Sequence, residues 1–186
     1  MKLKALLLML VCSMLVGKAY CVVTIHMKVD GYSGQSADAG FTNYFDITDT
    51  NQIDTGCAAK SNCRSLLGNF NFQMPLGTLS VPAQLKLFQS GSSLSFSSVD
   101  IVYSSSAGGS SETTYVFYQL HLTNVRVASI AQLFVAGDIV EKMGLSFQSA
   151  SWKYTPQTAD GRAGTPVTGC WNKVNNASCT PPAFPF

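Results

Sequence analysis

Hydrophobic and polar positions alternate along much of the chain with the period of two that marks a half-buried strand. In Val23 to Val29 the apolar Val23, Ile25, Met27 and Val29 point one way, while Thr24, His26 and Lys28 point the other. Asp30-Gly31 and Ser33-Gly34 turn the chain, and Phe41 to Ile47 contains a second strand. Phe70 and Phe72 predict a short strand before Pro75. Ser95 to Tyr103 carries Val99, Ile101 and Tyr103 on one face, with Phe96 in the other phase. Thr114 to Val127 places Val116, Tyr118, Leu120 and Leu122 on one face, then switches to Val125 and Val127; a bulge near Asn124 restores the pattern. Met143 to Tyr154 changes phase as well: Leu145 and Phe147 give way to Ala150, Trp152 and Tyr154. Trp152 and Tyr154 are therefore expected in the wall of the fold, largely buried. Val167 to Val174 predicts the last strand.

One stretch breaks the rhythm toward a helix. Over Ser80 to Gln89, Ser80 can cap, Pro82 suits an early helical position, Leu85, Leu87 and Phe88 supply contacts, and Gly91 stops the element. Asp49 to Asn69 is polar and reads as a long loop. Ser104 to Ser111, with Gly108-Gly109, reads as a hairpin tip. Bulged, bent strands belong to barrels more than to flat sheets. The fold predicted is mainly β: a closed or nearly closed antiparallel β-barrel with one short α-helix.

The N-terminus has a separate logic. Lys2 and Lys4 precede an apolar run from Ala5 to Val16, shorter than the roughly twenty residues that span a bilayer. Small residues follow, with Gly17 and Ala19 spaced for cleavage after Ala19; a cut after Cys21 also fits. Residues 1–21 are thus expected to be a secretory signal peptide, 22–175 the barrel domain, and 176–186 an extended, proline-rich tail. The expected location is secreted or periplasmic, without stable membrane insertion.

Charge narrows the partners. Removing Lys2, Lys4 and Lys18 leaves nine basic residues against ten acidic ones. That balance supplies no basic field for nucleic acid or anionic lipid. The same low charge leaves self-association unopposed by self-repulsion. Among the later cysteines, Cys57, Cys63, Cys170 and Cys179 form an even set, expected as disulfides in an exported protein. Two local pairs, Cys57–Cys63 and Cys170–Cys179, or cross-pairings between them are open to the sequence. Neither local spacing is the short one usual in zinc sites, and no metal or other cofactor is expected. Cys21, if retained, is an odd thiol able to join two subunits.

Catalytic chemistry finds little support. The sequence has no Gly-x-Ser-x-Gly elbow, phosphate loop or His-Glu-x-x-His pair. His26 and His121 read as surface or lining residues. Asp30 and Asp46 could approach like a glycosidase pair, but turn-forming and solvation roles are the default. The Asp46, Asp49 and Asp54 series lacks the calcium-loop pattern. Phe41, Tyr44, Phe45, Phe70 and Phe72 could form a sugar- or protein-binding patch, with core packing as the default. The expectation is a protein that is not an enzyme.

Several segments, taken in order, carry a resemblance. Ile25-His-Met-Lys-Val-Asp-Gly-Tyr-Ser-Gly-Gln-Ser36, Phe45-Asp-Ile-Thr48, Phe72-Gln-Met-Pro75 and the run from Tyr118 to Ser129 lead to Glu141 to Gln157, which closes on Trp152-Lys-Tyr-Thr-Pro-Gln157. Gly169, Cys170, Trp171 and Asn172 follow. From about Val23 to Asn175 this order resembles the haemolysin-coregulated protein (Hcp) family, the tube protein of bacterial type VI secretion. Its Val-x-Val-Ser ending is matched here with Ala128 standing between Val127 and Ser129. The resemblance implies a β-barrel with one short helix, six-fold homo-oligomeric rings, rings stacked into tubes, and protein cargo. It also implies that the loop at about Thr48 to Gly77 helps contact the next ring. The signal-like start and the cysteines depart from a family assembled in the cytoplasm. The resemblance therefore also allows a secreted binding or effector module that acts as a monomer or single ring.

Overall fold

The computed structural model describes residues 21–51, 53, 55–57, 65–80, 82–83, 95–107, 114–159 and 162–186. The expected signal peptide falls almost wholly outside these residues, as does the hairpin tip at Gly108-Gly109. The strands are β1 (Cys21–Val29), β2 (Phe45–Ile47), β3 (Asp49–Asn51), β4 (Thr55–Cys57), β5 (Ser65–Leu67) and β6 (Phe70–Pro75). They continue as β7 (Phe96–Ala107), β8 (Thr114–Val135), β9 (Asp138–Ser146), β10 (Ser149–Tyr154), β11 (Val167–Asn172) and β12 (Ala177–Ser178). A 3-10 turn covers Ala39–Phe41.

Two antiparallel layers share the long strand β8. The larger runs β12-β11-β10-β8-β7-β1-β2; the smaller runs β3-β6-β9-β8. β8 serves both because it bends. Its first part pairs with β10 as far as Thr123 and with β7 as far as Val125, and its second pairs with β9 from Arg126. At the corner Asn124 adopts φ +48°, a left-handed conformation that Asn tolerates better than most residues. The phase switch from Leu122 to Val125 marks this corner. The ladder irregularities themselves lie elsewhere, at Phe117 between Tyr118 and Val116, and at Ala128 between Val127 and Ser129.

The partner strand breaks at the matching place. The expected single strand Met143 to Tyr154 is two strands, β9 and β10, separated by Phe147 and Gln148. The Gln148 N–H donates to the Thr123 carbonyl at 2.9 Å, tying the two corners together. β8 and β9 form a hairpin whose turn residues, Ala136 (φ +51°) and Gly137 (φ +98°), suit the twist of a two-residue connection.

The predicted closure is not found. The layers are joined along β8, but on the opposite side no ladder completes a barrel among the described residues. There the chain crosses from β2 to β3 at Thr48, whose N–H donates to the Gln73 carbonyl at 2.9 Å. A bend with a single backbone bond replaces the strand pairing. Of the predicted helix over Ser80 to Gln89, helical backbone is described only at Ser80, Pro82 and Ala83, and no short helix is shown among the described residues. Ala83 N–H donates to Leu79 C=O, so the helical turn starts one residue earlier than Ser80 as a cap, and the Ser80 hydroxyl accepts from Gly77 N–H. The expected loop Asp49 to Asn69 contains β3, β4 and β5, strands made by pairing rather than by alternation.

The main core lies between the layers. Met27, Phe45, Phe70, Phe72, Ile101, Leu122, Met143 and Leu145 are buried there. Each such side chain contributes about 1.5–3 kcal/mol on removal from water. Trp152 only packs against this core from its margin, and Tyr154 is 50% exposed. The expectation of burial is corrected for Tyr154, while Trp152 is partly buried: β10 leaves the core toward its end.

Candidate functional site

The outer face of the larger layer is the first place where chemistry-bearing residues meet. Register places His26 opposite Asp46 on β2 and opposite Val102 on β7. His26 is 2% exposed, contrary to a polar, solvent-facing position. Its Nδ1 lies 3.0 Å from Asp46 Oδ1, and its Nε2 lies 3.1 Å from Asp38 Oδ2 and 3.2 Å from Thr24 Oγ1. Phe41 stacks on the ring at 3.9 Å between centroids and 14° between planes. An Asp-His-hydroxyl line is thus present, but the ring face is covered and Nε2 is shared with a second carboxylate. The arrangement holds the 34–44 segment onto the sheet. Gly34 assists: a Cβ there would collide with the Tyr44 backbone. Burial, then the Asp100 charge, pushes the Tyr44 phenol up.

The C-terminal tail covers the same face. Gln119, 3% exposed, donates from Nε2 to the Phe186 carbonyl at 2.8 Å and accepts from Phe186 N–H at 3.3 Å. Lys153 Nζ also donates to the Phe186 carbonyl. The Phe186 ring sits 5.4 Å from Phe41 and 6.4 Å from Tyr44. The tail is therefore docked on the sheet through Phe186. His121 on the next row pairs with Asp100 at 2.6 Å.

The aromatic patch read from the sequence divides. Phe45, Phe70 and Phe72 are in the main core, while Phe41 and Tyr44 form the small outer cluster with Val102. Asp30 and Asp46 are not brought together as an acid pair. Asp30 accepts from the Ser97 hydroxyl, and Asp46 faces His26. Of the four predicted disulfide residues, Cys170 and Cys179 are bonded to each other, with Cα atoms 5.0 Å apart, linking β11 to the residue after β12. Cys63, the expected partner of Cys57, lies outside the described residues.

A cavity that the linear pattern did not reveal opens at one end of the layers. Its volume is about 560 Å3, and its lining includes Tyr103, Phe117, Tyr118, Trp152 and Tyr154, with Thr50 and Ile53 from the stretch after β2. The end of β7, the start of β8 and the end of β10 bring these aromatics together through register, since Tyr103 and Tyr154 both pair with Tyr118. Thr50 Oγ1 and Tyr103 Oη are 3.1 Å apart. Burial raises the Tyr103 phenol, partly offset by that hydrogen bond. Burial, and then Tyr103, pushes Tyr118 up to about 12. No charged side chain is among these lining residues, so the cavity suits a neutral, apolar or aromatic group. The clue in the sequence was the density of aromatics at Tyr115 to Tyr118 and at Trp152 and Tyr154. It becomes a cavity only with the register.

Among the described residues, no group of three or more His, Cys, Asp and Glu side chains is placed to hold a metal ion. No described helix is long and apolar enough to cross a membrane.

No protein-family model matches this sequence, and no curated protein matches it. Solved structures do match. Hcp1 from Salmonella typhimurium is similar over 84% of this chain and 99% of its own, with TM-score 0.69 and 16% identity. A type six secretion system protein matches over 85% of this chain and 100% of its own, with TM-score 0.70 and 15% identity. A type VI secretion system effector from Yersinia pestis matches over 80% and 98%, with TM-score 0.62 and 15% identity. At these identities the likeness is one of fold: this chain has an Hcp-like fold.

Proposed function

We propose that the protein is an exported structural subunit that assembles with copies of itself into six-membered rings able to stack into tubes, and that it serves type VI-like secretion or cargo carriage. One observation carries this reading. The likeness spans 99% and 100% of two neighbours' own lengths, so the whole architecture of those proteins is retained. A ring needs a heterologous contact in which one patch meets a different patch on the next subunit. The near-neutral composition removes an electrostatic obstacle to such contacts. The role is structural rather than catalytic, consistent with a His26 ring that is stacked by Phe41 and has both nitrogens engaged.

Export fits the bonded Cys170–Cys179 pair, which an oxidising compartment preserves. Residues 1–21 are the proposed signal peptide. Cleavage after Ala19 leaves β1 whole, because Cys21 already pairs with Ala107. A second reading, a secreted binding or effector module working as a monomer or single ring, is favoured by the open aromatic cavity. Light scattering and negative-stain microscopy of the mature, oxidised protein separate the two. Rings of about six times the monomer mass are expected. A strictly monomeric protein at high concentration would overturn the ring and favour the second reading.

A further inference from the structure

The β8–β9 hairpin projects apolar side chains from both of its faces. Phe134 is 77% exposed, Val135 49%, Ile139 48% and Leu133 40%. Register pairs Phe134 with Ile139 on one face and Leu133 with Val140 on the other. The exposed Leu76 stands beside them, its N–H reaching the Ile139 carbonyl at 3.4 Å. A cluster of this kind on a folded subunit marks a contact surface rather than scattered exposure.

The aromatic cavity lies at the other end of the same strand. Phe117 and Tyr118 line it near the start of β8, while Phe134 stands near the end. At about 3.3 Å per residue, the path from Phe117 to Phe134 is on the order of 50 Å, somewhat shortened by the bend at Asn124. The hairpin of one molecule cannot reach its own cavity. Both surfaces are apolar, and the named lining residues and the Phe134–Ile139 pair carry no charge. The cavity, at about 560 Å3, has room for more than one side chain.

We infer that copies of this chain join end to end by a knob-and-socket contact, with Phe134 and Ile139 of one copy seated in the Tyr103–Phe117–Trp152–Tyr154 cavity of the next. The inference rests on the self-assembly reading above and names the contact that links successive rings. Subunits joined along their sides leave their ends at the ring faces, where this contact repeats without closing on itself. An aromatic side chain entering a desolvated pocket is the kind of residue that dominates binding. Thr50 and Ile53 bring the segment after β2 into the socket, which gives that segment a place in the contact between rings.

The test uses the full mature protein. Phe134→Ser removes the knob without touching the core, and Tyr154→Arg places a charge at the mouth of the socket. Sedimentation should show both variants as rings in which stacking requires at least tenfold more protein than wild type. Phe134→Cys combined with Phe117→Cys should give a ladder of covalent multimers under oxidation, absent from either single variant. Stacking unchanged in Phe134→Ser, or no ladder from the double variant, overturns the inference while leaving the ring reading intact. A wild type that never exceeds a monomer overturns both.

Discussion

Asn124 is a single residue on which the change from one layer to the other depends, and it lends itself to a graded substitution series. Its φ of +48° sits between Thr123, where β8 stops pairing with β10, and Arg126, where it begins to pair with β9. Its side-chain amide also donates to Gln148 Oε1 on the partner corner. Glycine relieves the backbone, loses an exposed hydrogen bond and gains chain entropy in the unfolded state. Asn124→Gly should therefore change stability by less than about 1 kcal/mol. Alanine keeps the left-handed cost of about 1–2 kcal/mol and loses the hydrogen bond, so Asn124→Ala should cost about 2 kcal/mol. Asn124→Val adds β-branching in a region such residues avoid, and should cost roughly 3 kcal/mol. Urea titration at constant m-value reads the series as shifts of the midpoint. If valine were tolerated as well as glycine, the corner would not be left-handed. If glycine were as damaging as alanine, the bond to Gln148, not the backbone, would hold the bend; Gln148→Ala would then reproduce the loss.

Two other outcomes follow from the same structure. The Tyr118 phenol, raised to about 12 by burial and then by Tyr103, stays protonated in the folded state while the unfolded chain ionises from about pH 10. Its contribution is therefore complete below pH 10 and is lost as pH rises toward 12, on the order of 2 kcal/mol in total. Urea midpoints at pH 9 and pH 11.5 should converge in Tyr118→Phe relative to wild type; identical slopes in both would reject this. The Cys170–Cys179 bond spans a sequence separation of nine residues. Replacing both cysteines with alanine should cost about 2–3 kcal/mol by the loop-entropy estimate. Hydrogen exchange of β12 and the tail should quicken, and a change below about 0.5 kcal/mol would show that the docked Phe186 already holds this segment.

The parts of the fold legible in the sequence are those with a local period. The phase changes in the two long strands located the paired corners, at Asn124 and at Phe147-Gln148. The insertion of Ala128 before Ser129, seen against the Hcp pattern, coincides with the ladder irregularity between β8 and β9. What was not legible is non-local. His26 sits on the polar side of an alternating strand, yet it is buried because the 34–44 segment and the tail return over that side. β3, β4 and β5 are too short to show an alternation, and pairing makes them strands. The socket exists only after register sets Tyr103, Tyr118 and Tyr154 abreast. Cavities are formed by strand order, which hydrophobic periodicity does not encode.

Among the described residues no ladder closes the sheet, so the proposed assembly must form finite rings rather than extend its sheets. An open sheet offers unpaired backbone at its edges, a template for unlimited growth. Here the edges of the larger layer are short: β2 has three residues and β12 has two. Beyond β12 the chain enters Pro181-Pro182, which cannot donate to a ladder. Cys170–Cys179 pins that edge, and Gln119 and Phe41 hold the tail across the sheet face. Backbone-driven extension is thus poorly served on this layer. Five large exposed apolar side chains, Leu133, Phe134, Val135, Ile139 and Leu76, instead gather at the β8–β9 hairpin, offering a contact made by side chains of defined shape. Side-chain contacts of that kind fix an angle between neighbours, and in the proposed assembly a fixed angle is what would let one ring register on the next.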